Sequence, residues 1–470
     1  MDIAIIGTGY VGLVTGTCFA DIGVNVTCID IDNKKIENLN QGILPIYEPG
    51  LQELVIKNTK ANRLKFSTDL KSVIKDVDVV FIAVGTPTSL NGKEADMSQV
   101  FQAAKDIAES INGYKVIVTK STVPVGTAEK VTEIILSNNP DAEFDVVSNP
   151  EFLREGSAIS DFMNPDRIVI GAPSQESSEI MLSLYEHFTN KKTPIVLTNP
   201  KTSEIIKYAA NCFLAVKICF INEVAQLCDA CGANVQDVSL GIGLDNRIGK
   251  AFLNAGPGFG GSCFPKDINA FAETARNFKT PVNIVETIIE SNHNLQKVLA
   301  QKIINACEGN IEGKNIGILG LAFKANTDDI RQSPAISIIK NLLPYKPNIQ
   351  AYDPIAMNNA KTELPEINYC SDSYEAAKNA DVLVIMTEWQ AFCNLDFKRL
   401  ASLMNKPMLI DFRNLYDPKK MMSEPVNYAS IGRPLSSIQT RSKSTDYATL
   451  ISSETSENND VSKEKKTGTL

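Results

Sequence analysis

Residues 2–12 read Asp-Ile-Ala-Ile-Ile-Gly-Thr-Gly-Tyr-Val-Gly, a short apolar run that breaks into Gly7-x-Gly9-x-x-Gly12. The next residues, LVTGTCFADIG, carry a helical pattern, and a second apolar run, VNVTCIDI, carries Asp30 18 residues beyond Gly12. Three spaced glycines alone are weak evidence. Strand, glycines, helix, strand and acid in that order form the fingerprint of a dinucleotide-binding βαβ unit. The glycines allow a tight turn and close approach of a pyrophosphate, whose charge the helix N-terminus receives. Asp30 suits the ribose hydroxyls and repels a 2′-phosphate, which favours NAD over NADP; Lys35 argues the other way.

Three further strand–turn units follow: DVDVVFIAVGTPT (76–88), KVIVTKSTVPVGT (115–127) and FDVVSNPEFLREG (144–156). Open parallel sheets bind ligands at the carboxyl ends of their strands. Thr86, Thr88, Ser121, Thr122, Glu151 and Glu155 are therefore expected along one edge, with Thr127 as a helix N-cap. Beyond residue 200 the pattern changes to long helices over 201–236 and 265–307. The first is apolar almost all round, which suits a core or a subunit interface. It carries Lys207 and Asn211 at i, i+4, on one face.

Between these helices lies Gly256-Pro-Gly-Phe-Gly-Gly-Ser-Cys-Phe-Pro-Lys-Asp267. Pro265 marks a first helical turn, which puts Cys263 at a helix N-terminus, with Lys266 as a nearby positive charge and Asp267 one turn on. That setting predicts a thiol with a lowered pKa and a nucleophile's role. From Lys314 a second α/β unit begins. NIGILGLAF and IQAYDP are its first strands, and ADVLVIMTEW (380–389) echoes residues 76–87. Gly317 and Gly320 are present without the full fingerprint, so this copy is expected to hold something other than a dinucleotide. Phe323, Lys324 and Arg331 in its first loop suit a phosphate or a base.

The fold expected is α/β: two doubly wound Rossmann-like domains joined by a central helical domain. The expected segments are a NAD-binding domain (1–200), a central helical domain (201–310), a second Rossmann-like domain (311–434), to which the resemblance given below assigns the sugar nucleotide as it assigns dimerisation to the helices, and a disordered, Ser/Thr-rich tail (435–470). The chain has 470 residues, 46 basic against 55 acidic, and a net charge of −9. That balance argues against nucleic acid or an anionic membrane as partner. Ten scattered cysteines fit a reducing compartment. Cys228-x-x-Cys231 stands alone and there are two histidines, so no metal site is expected. No apolar span reaches membrane length and no signal peptide is expected; the location expected is cytoplasmic.

Taken together, the motifs resemble those of the UDP-glucose/GDP-mannose dehydrogenase family. GTGYVG, VGTPT, STVPVGT, NPEFLREG, the Lys207/Asn211 pair, GLDNRIG, FGGSCFPKD and AFKANTDDIR occur in the family's order over about residues 1–433. The resemblance implies NAD-dependent oxidation of the C6 alcohol of a nucleotide sugar to a carboxylate, through a thiohemiacetal and a thioester on Cys263. UDP-glucose is the substrate expected; GDP-mannose and a UDP-N-acetylated hexose are the alternatives. It implies Lys207 as oxyanion stabiliser, Asn211 and Asp267 as holders of a water, and Thr122 and Glu151 as aids to proton transfer and hydrolysis. Cofactor contacts implied are Gly7, Gly9, Tyr10, Val11, Gly12, Asp30, Lys35, Thr86, Thr88, Ser121, Thr122, Glu155 and Arg331. Substrate contacts implied are Glu151, Phe152, Leu153, Lys207, Asn211, Phe252, Leu253, Asn254, Gly256, Phe259, Gly260, Phe323, Lys324 and Arg413. Arg247 resembles a residue that reaches the substrate from a partner subunit, implying at least a dimer. Two positions depart from the family pattern: Phe412, where glycine is common, and Gln332, where glutamate is usual. Ser262 resembles the UDP-glucose and GDP-mannose branches, and Phe264 the UDP-glucose branch.

Overall fold

The computed structural model describes residues 1–89 and 94–433; the tail expected over 435–470 lies outside them. The N-terminal sheet is built from β1 (Asp2–Ile6), β2 (Asn25–Ile29), β3 (Leu64–Ser67), β4 (Val79–Ile82), β5 (Lys115–Thr119), β6 (Phe144–Ser148), β7 (Ile168–Gly171) and β8 (Ile195–Thr198). Their order is β3-β2-β1-β4-β5-β6-β7-β8. The first six run parallel in the doubly wound order. The sheet then departs from the all-parallel expectation, because β7 meets β6 antiparallel through Ser148 and Gly171. Strands such as Val79–Ile82 are buried at every position, as expected for a parallel sheet covered by helices on both faces.

A second sheet is built from β9 (Asn315–Leu319), β10 (Asn348–Tyr352), β11 (Asn368–Tyr369), β12 (Val382–Ile385), β13 (Met408–Asp411) and β14 (Asn427–Ser430). Its order, β11-β10-β9-β12-β13-β14, repeats that of the first six N-terminal strands. The echo between 76–87 and 380–389 is thus β4 and β12, each pairing with the first strand of its own sheet.

Four helices lie between the sheets, where the sequence suggested two long ones. Pro200–Cys231 ends at Gly232, at φ 79°, and Val235–Gly243 follows. Phe264–Asn277 and Asn283–Ala306 are separated by a turn with Lys279 at φ 57° and Pro281 beyond it. The central helices share one apolar core with the C-terminal sheet. Ile221, Ala225, Leu295 and Leu299 join Ile316, Ile318, Val384 and Ile410 there. Phe412 is fully buried in the same core, so its bulk is used for packing. No helix among the described residues is long and apolar enough to cross a membrane.

Candidate active site

The first turn is shaped as the fingerprint requires. A Cβ on Gly12 would sit 2.0 Å from the Gly7 carbonyl oxygen, so the helix Tyr10–Asp21 can begin there only without a side chain. Gly9 differs: nothing lies within 4 Å of its Cβ position. That space fits a dinucleotide pyrophosphate lying against the helix N-terminus. Asp30 ends the second strand and accepts from Thr8 N at 2.9 Å, Thr8 Oγ1 at 2.7 Å and Lys35 Nζ at 2.8 Å. Burial works against its charge, but Lys35 and Thr8 outweigh it and hold the carboxyl down at about 2.

A cleft of about 1100 Å³ runs from this turn to the helices Pro334–Leu342 and Met357–Glu363 of the C-terminal unit. Gly9, Tyr10, Val11, Thr86, Thr88, Ser121, Thr122, Glu151, Leu153 and Glu155 line its N-terminal wall. Cys263 and Lys266 stand at its end, and Thr327–Ser333, with Arg331, form the opposite side. Arg331 pairs with Asp329 at 2.8 Å and lies 3.7 Å from Glu155. Glu155 also accepts from Ser262 Oγ and Thr327 Oγ1, both at 3.0 Å. Burial and the neighbouring Asp329 push the Glu155 carboxyl up. One acid thus ties the cysteine loop to both walls.

The glycines of the cysteine loop serve contacts within the chain. A Cβ on Gly261, at φ 87°, would strike the Phe323 ring at 2.7 Å; one on Gly260 would meet the Gln332 carbonyl oxygen at 2.3 Å. Gly261 N donates to Arg331 O at 2.9 Å. The loop is pressed onto the C-terminal unit, which sets the position of Cys263 ahead of the helix Phe264–Asn277. The sulfur does not have the lowered pKa that the sequence suggested. Burial pushes the thiol up to about 11, Glu151 and Asp267 add to that, and Lys207 with the Ser262 hydroxyl oppose it. Lys266, expected to act on the sulfur, instead pairs with Asp267.

Behind the cysteine lies a buried polar group. Lys207 Nζ donates to Glu151 Oε1 at 3.1 Å, and Asn211 Nδ2 to Asp267 Oδ2 at 2.7 Å. Burial disfavours the Lys207 ammonium, yet Glu151, Asp267 and Cys263 hold its pKa above the ordinary value. Lys207 Nζ also lies 5.3 Å from the centre of the Phe152 ring. The helical spacing of Lys207 and Asn211 therefore delivers both side chains to the back of the cysteine.

The remaining residues expected at the sugar nucleotide lie outside the lining of this cleft, and several are held by contacts within the chain. Gly256 N donates to Asn222 Oδ1 and Phe259 N to Asn292 Oδ1. Arg413 Nη1 stands 3.3 Å from the Cβ position of Gly256, and its Nη2 donates to Phe323 O at 2.8 Å. Leu253 and Phe259 are buried, and Phe252 takes a left-handed φ of 64°. Burial lowers the Lys324 pKa. Asn254 is exposed, and Arg247 is 89% exposed and paired with Asp245 of its own chain at 2.6 Å. Like the other residues of this group, neither lines the cleft within one chain.

Two acids escaped the sequence reading. Glu48 accepts from Gly156 N and Ala158 N and from the Tyr10 hydroxyl, fixing the loop that carries Glu151 and Glu155. Glu204, one turn before Lys207, accepts from Gly126 N at 2.7 Å and Ala128 N at 2.9 Å. It caps the helix Thr127–Asn138 in place of Thr127, whose hydroxyl donates to Pro124 O. Both contacts join residues far apart in the chain, which no local pattern marks.

Comparison with known proteins agrees with this arrangement. Residues 1–189 match the NAD binding domain of the UDP-glucose/GDP-mannose dehydrogenase family, 201–294 its central domain and 317–418 its UDP binding domain. A UDP-glucose 6-dehydrogenase of Rhizobium meliloti (strain 1021) is 52% identical over 92% of this chain and all of its own length. One of Bacillus subtilis (strain 168), TuaD, is 48% identical over 92% of this chain and 93% of its own. Among solved structures, a UDP-glucose dehydrogenase from Pyrobaculum islandicum superposes with a TM-score of 0.84 at 35% identity, covering 91% of this chain and 96% of that one. A UDP-D-ManNAc dehydrogenase from Pyrococcus horikoshii gives 0.81 at 27%, covering 92% and 99%. With a dinucleotide turn, a cysteine at the end of its cleft and three matched domains in family order, the chain belongs to the UDP-glucose/GDP-mannose dehydrogenase family.

Proposed function

We propose that the chain oxidises the C6 alcohol of UDP-glucose to the carboxylate of UDP-glucuronate, holding the sugar on Cys263 between the two oxidations. The observation that carries this reading is the position of Cys263, which faces the dinucleotide cleft while the Lys207–Glu151 and Asn211–Asp267 pairs close off its back. The cofactor is NAD, as the family's NAD binding domain requires; when bound it accepts the hydride of each oxidation. The Gly9 turn and Asp30 hold its diphosphate and ribose.

The protein's own groups do the rest. Thr122 and Glu151 assist removal of the alcohol proton. The Cys263 sulfur then bonds to the aldehyde carbon, and its proton leaves as that bond forms, since burial keeps the resting thiol neutral. Glu151 and Asp267, the carboxylates that hold that proton on the sulfur, are also the nearest bases to receive it. The carbonyl oxygen gains negative charge facing Lys207, a buried cation with no reorganisation to undergo. Loss of the second hydride leaves a thioester. Asn211 and Asp267 hold a water that adds to it; the carbon–sulfur bond breaks, the carboxylate departs and the thiol regains a proton.

Gly256 and Phe259 of the central domain bind the nucleotide together with Phe323, Lys324 and Arg413 of the C-terminal UDP binding domain. We also propose that two copies pair through the exposed apolar stripe Phe213, Phe220 and Leu227 of the long helix, at 65%, 53% and 64% exposure, which brings Arg247 to the neighbouring cleft. Ten free cysteines suit a cytoplasmic location. The test is stoichiometry, with NADH read by absorbance in a panel of UDP-glucose, GDP-mannose and UDP-N-acetylated hexoses. Two NADH per UDP-glucose are expected. One per sugar overturns the four-electron reading, and preference for another nucleotide sugar overturns the substrate.

A further inference from the structure

Glu48 lies between the helices Asn33–Asn40 and Leu51–Lys60, outside any helix or strand, yet it is 6% exposed. Its Oε2 accepts from Gly156 N at 2.6 Å and from the Tyr10 hydroxyl, and its Oε1 accepts from Ala158 N at 2.8 Å. Gly156 N also donates to the Tyr10 hydroxyl oxygen at 3.1 Å. Two backbone N–H groups and a phenol thus converge on one buried carboxylate. A carboxylate can accept from all of them, whereas a glutamine would turn its own N–H groups towards one of these donors. The donors dictate an acid at this position.

Where the donors sit gives the acid its consequence. Tyr10 is the first residue of the helix that follows the dinucleotide turn, and it lines the cleft. Gly156 directly follows Glu155 and ends the loop that leaves β6. That loop carries Glu151, Leu153 and Glu155 along the same cleft. Its start is fixed to the sheet, because Asn149 N donates to Thr119 O at 3.0 Å and Asn149 Nδ2 to Val169 O at 2.7 Å. Its far end is fixed by Glu48. Arg154 N, within the loop, donates to Asp161 Oδ2 at 2.9 Å, and the short helix that carries Asp161 is itself held through Ala158 N to Glu48. A third element bears on Gly156. Its φ is 79°, and a Cβ there would stand 2.6 Å from the Asn326 carbonyl oxygen of the C-terminal unit. Glu48 therefore fixes the loop end at the point where the dinucleotide turn and the C-terminal unit both meet it.

We propose that Glu48 is a positioning residue for the oxidation. By holding Gly156 and Ala158 against Tyr10, it sets the place of Glu151 relative to the dinucleotide turn. The alcohol then gives its hydride to NAD and its proton towards Glu151 from one fixed pose. Glu48 does not line the cleft; it acts through these contacts. The proposal rests on the role given above to Glu151.

The test is the single-turnover rate of the first NADH formed from UDP-glucose at saturating NAD, read by absorbance, with melting temperature as the measure of folding. A displacement of about 1 Å at a reacting centre can cost about a hundredfold in rate. Glu48→Gln should slow this phase by about tenfold or more, and Tyr10→Phe, which removes one donor and keeps the carboxylate, by about threefold. A lowered melting temperature with the parent's rate in Glu48→Gln is a purely structural result and overturns the proposal, as does the parent's rate in Tyr10→Phe. Glu151→Gln separates the two levels. Alone it should slow the phase by about a hundredfold, and adding Glu48→Gln should cost about twofold or less, because the group being positioned is already gone. Effects that multiply in full overturn the Glu48 proposal alone. The parent's rate in Glu151→Gln removes the role of Glu151, and the proposal falls with it. Should Glu48→Gln fail to fold, Tyr10→Phe runs the same cycle with Glu151→Gln and decides by the same rule.

Discussion

Lys207 and Glu151, 56 positions apart in the chain, meet at 3.1 Å with 5% and 4% of their side chains exposed. The pair bridges the central helix and the N-terminal sheet. Removing one member leaves the other charged and buried, at a cost of about 3–5 kcal/mol. Lys207→Met should be destabilised by that order, and adding Glu151→Gln should restore most of the loss. Denaturant melts of both variants check this. Activity should stay down by about a hundredfold or more in both, which separates the pair's part in catalysis from its part in stability.

The Cys263 thiol, pushed up to about 11 by burial with Glu151 and Asp267 beside it, should react slowly in the free protein. A raised thiol pKa means less thiolate at neutral pH. Alkylation of the Cys263 peptide by iodoacetamide, followed by mass spectrometry, should rise about tenfold per pH unit from 7 to 10 without levelling off. A plateau near pH 7 would show a resting thiolate and sink this account. Cys263→Ser should fold normally and lose about 10⁴-fold or more in the second oxidation.

Gly9 and Gly12 should fail in different ways. Gly9→Ala meets no protein atom within 4 Å, so its melting temperature should match the parent's while KM for NAD rises about tenfold, a loss of about 1.4 kcal/mol. Gly12→Ala places a methyl 2.0 Å from the Gly7 carbonyl oxygen and should lower the melting temperature itself. Thermal melts with and without NAD distinguish the two.

Phe213, Phe220 and Leu227 recur every seventh residue and so share one helix face. Phe213→Glu with Phe220→Glu should reduce the mass seen by light scattering to that of one chain. An unchanged mass removes the face from the assembly. With Arg247 then unable to reach a neighbour, KM for UDP-glucose should rise with little change in melting temperature.

The parts of the fold legible in the sequence were those fixed by local spacing. Gly7, Gly9, Gly12 and Asp30 declare the first βαβ unit because turn, approach and acid fall at set intervals. Lys207 and Asn211 declare one helix face for the same reason. The protonation of Cys263 was misread because it depends on Glu151 and Lys207, which arrive from two other elements. Glu204 and Glu48 accept from backbone N–H groups distant in sequence, so neither has a neighbour that betrays it. Thr127, a good cap by residue type, lost that role to Glu204. The turn that splits the helix near residue 280 did carry a signal in Pro281, but the apolar pattern on either side hid it.

The apolar core shared by the central helices and the C-terminal sheet has a mechanical consequence. None of the buried apolar clusters of the described residues joins those helices to the N-terminal strands. Ties across that seam include Lys207–Glu151, Ser262–Glu155 and Thr327–Glu155, all polar. The seam is therefore closed by hydrogen bonds and ion pairs, and the cysteine loop is fixed to the lobe that contains the UDP binding domain.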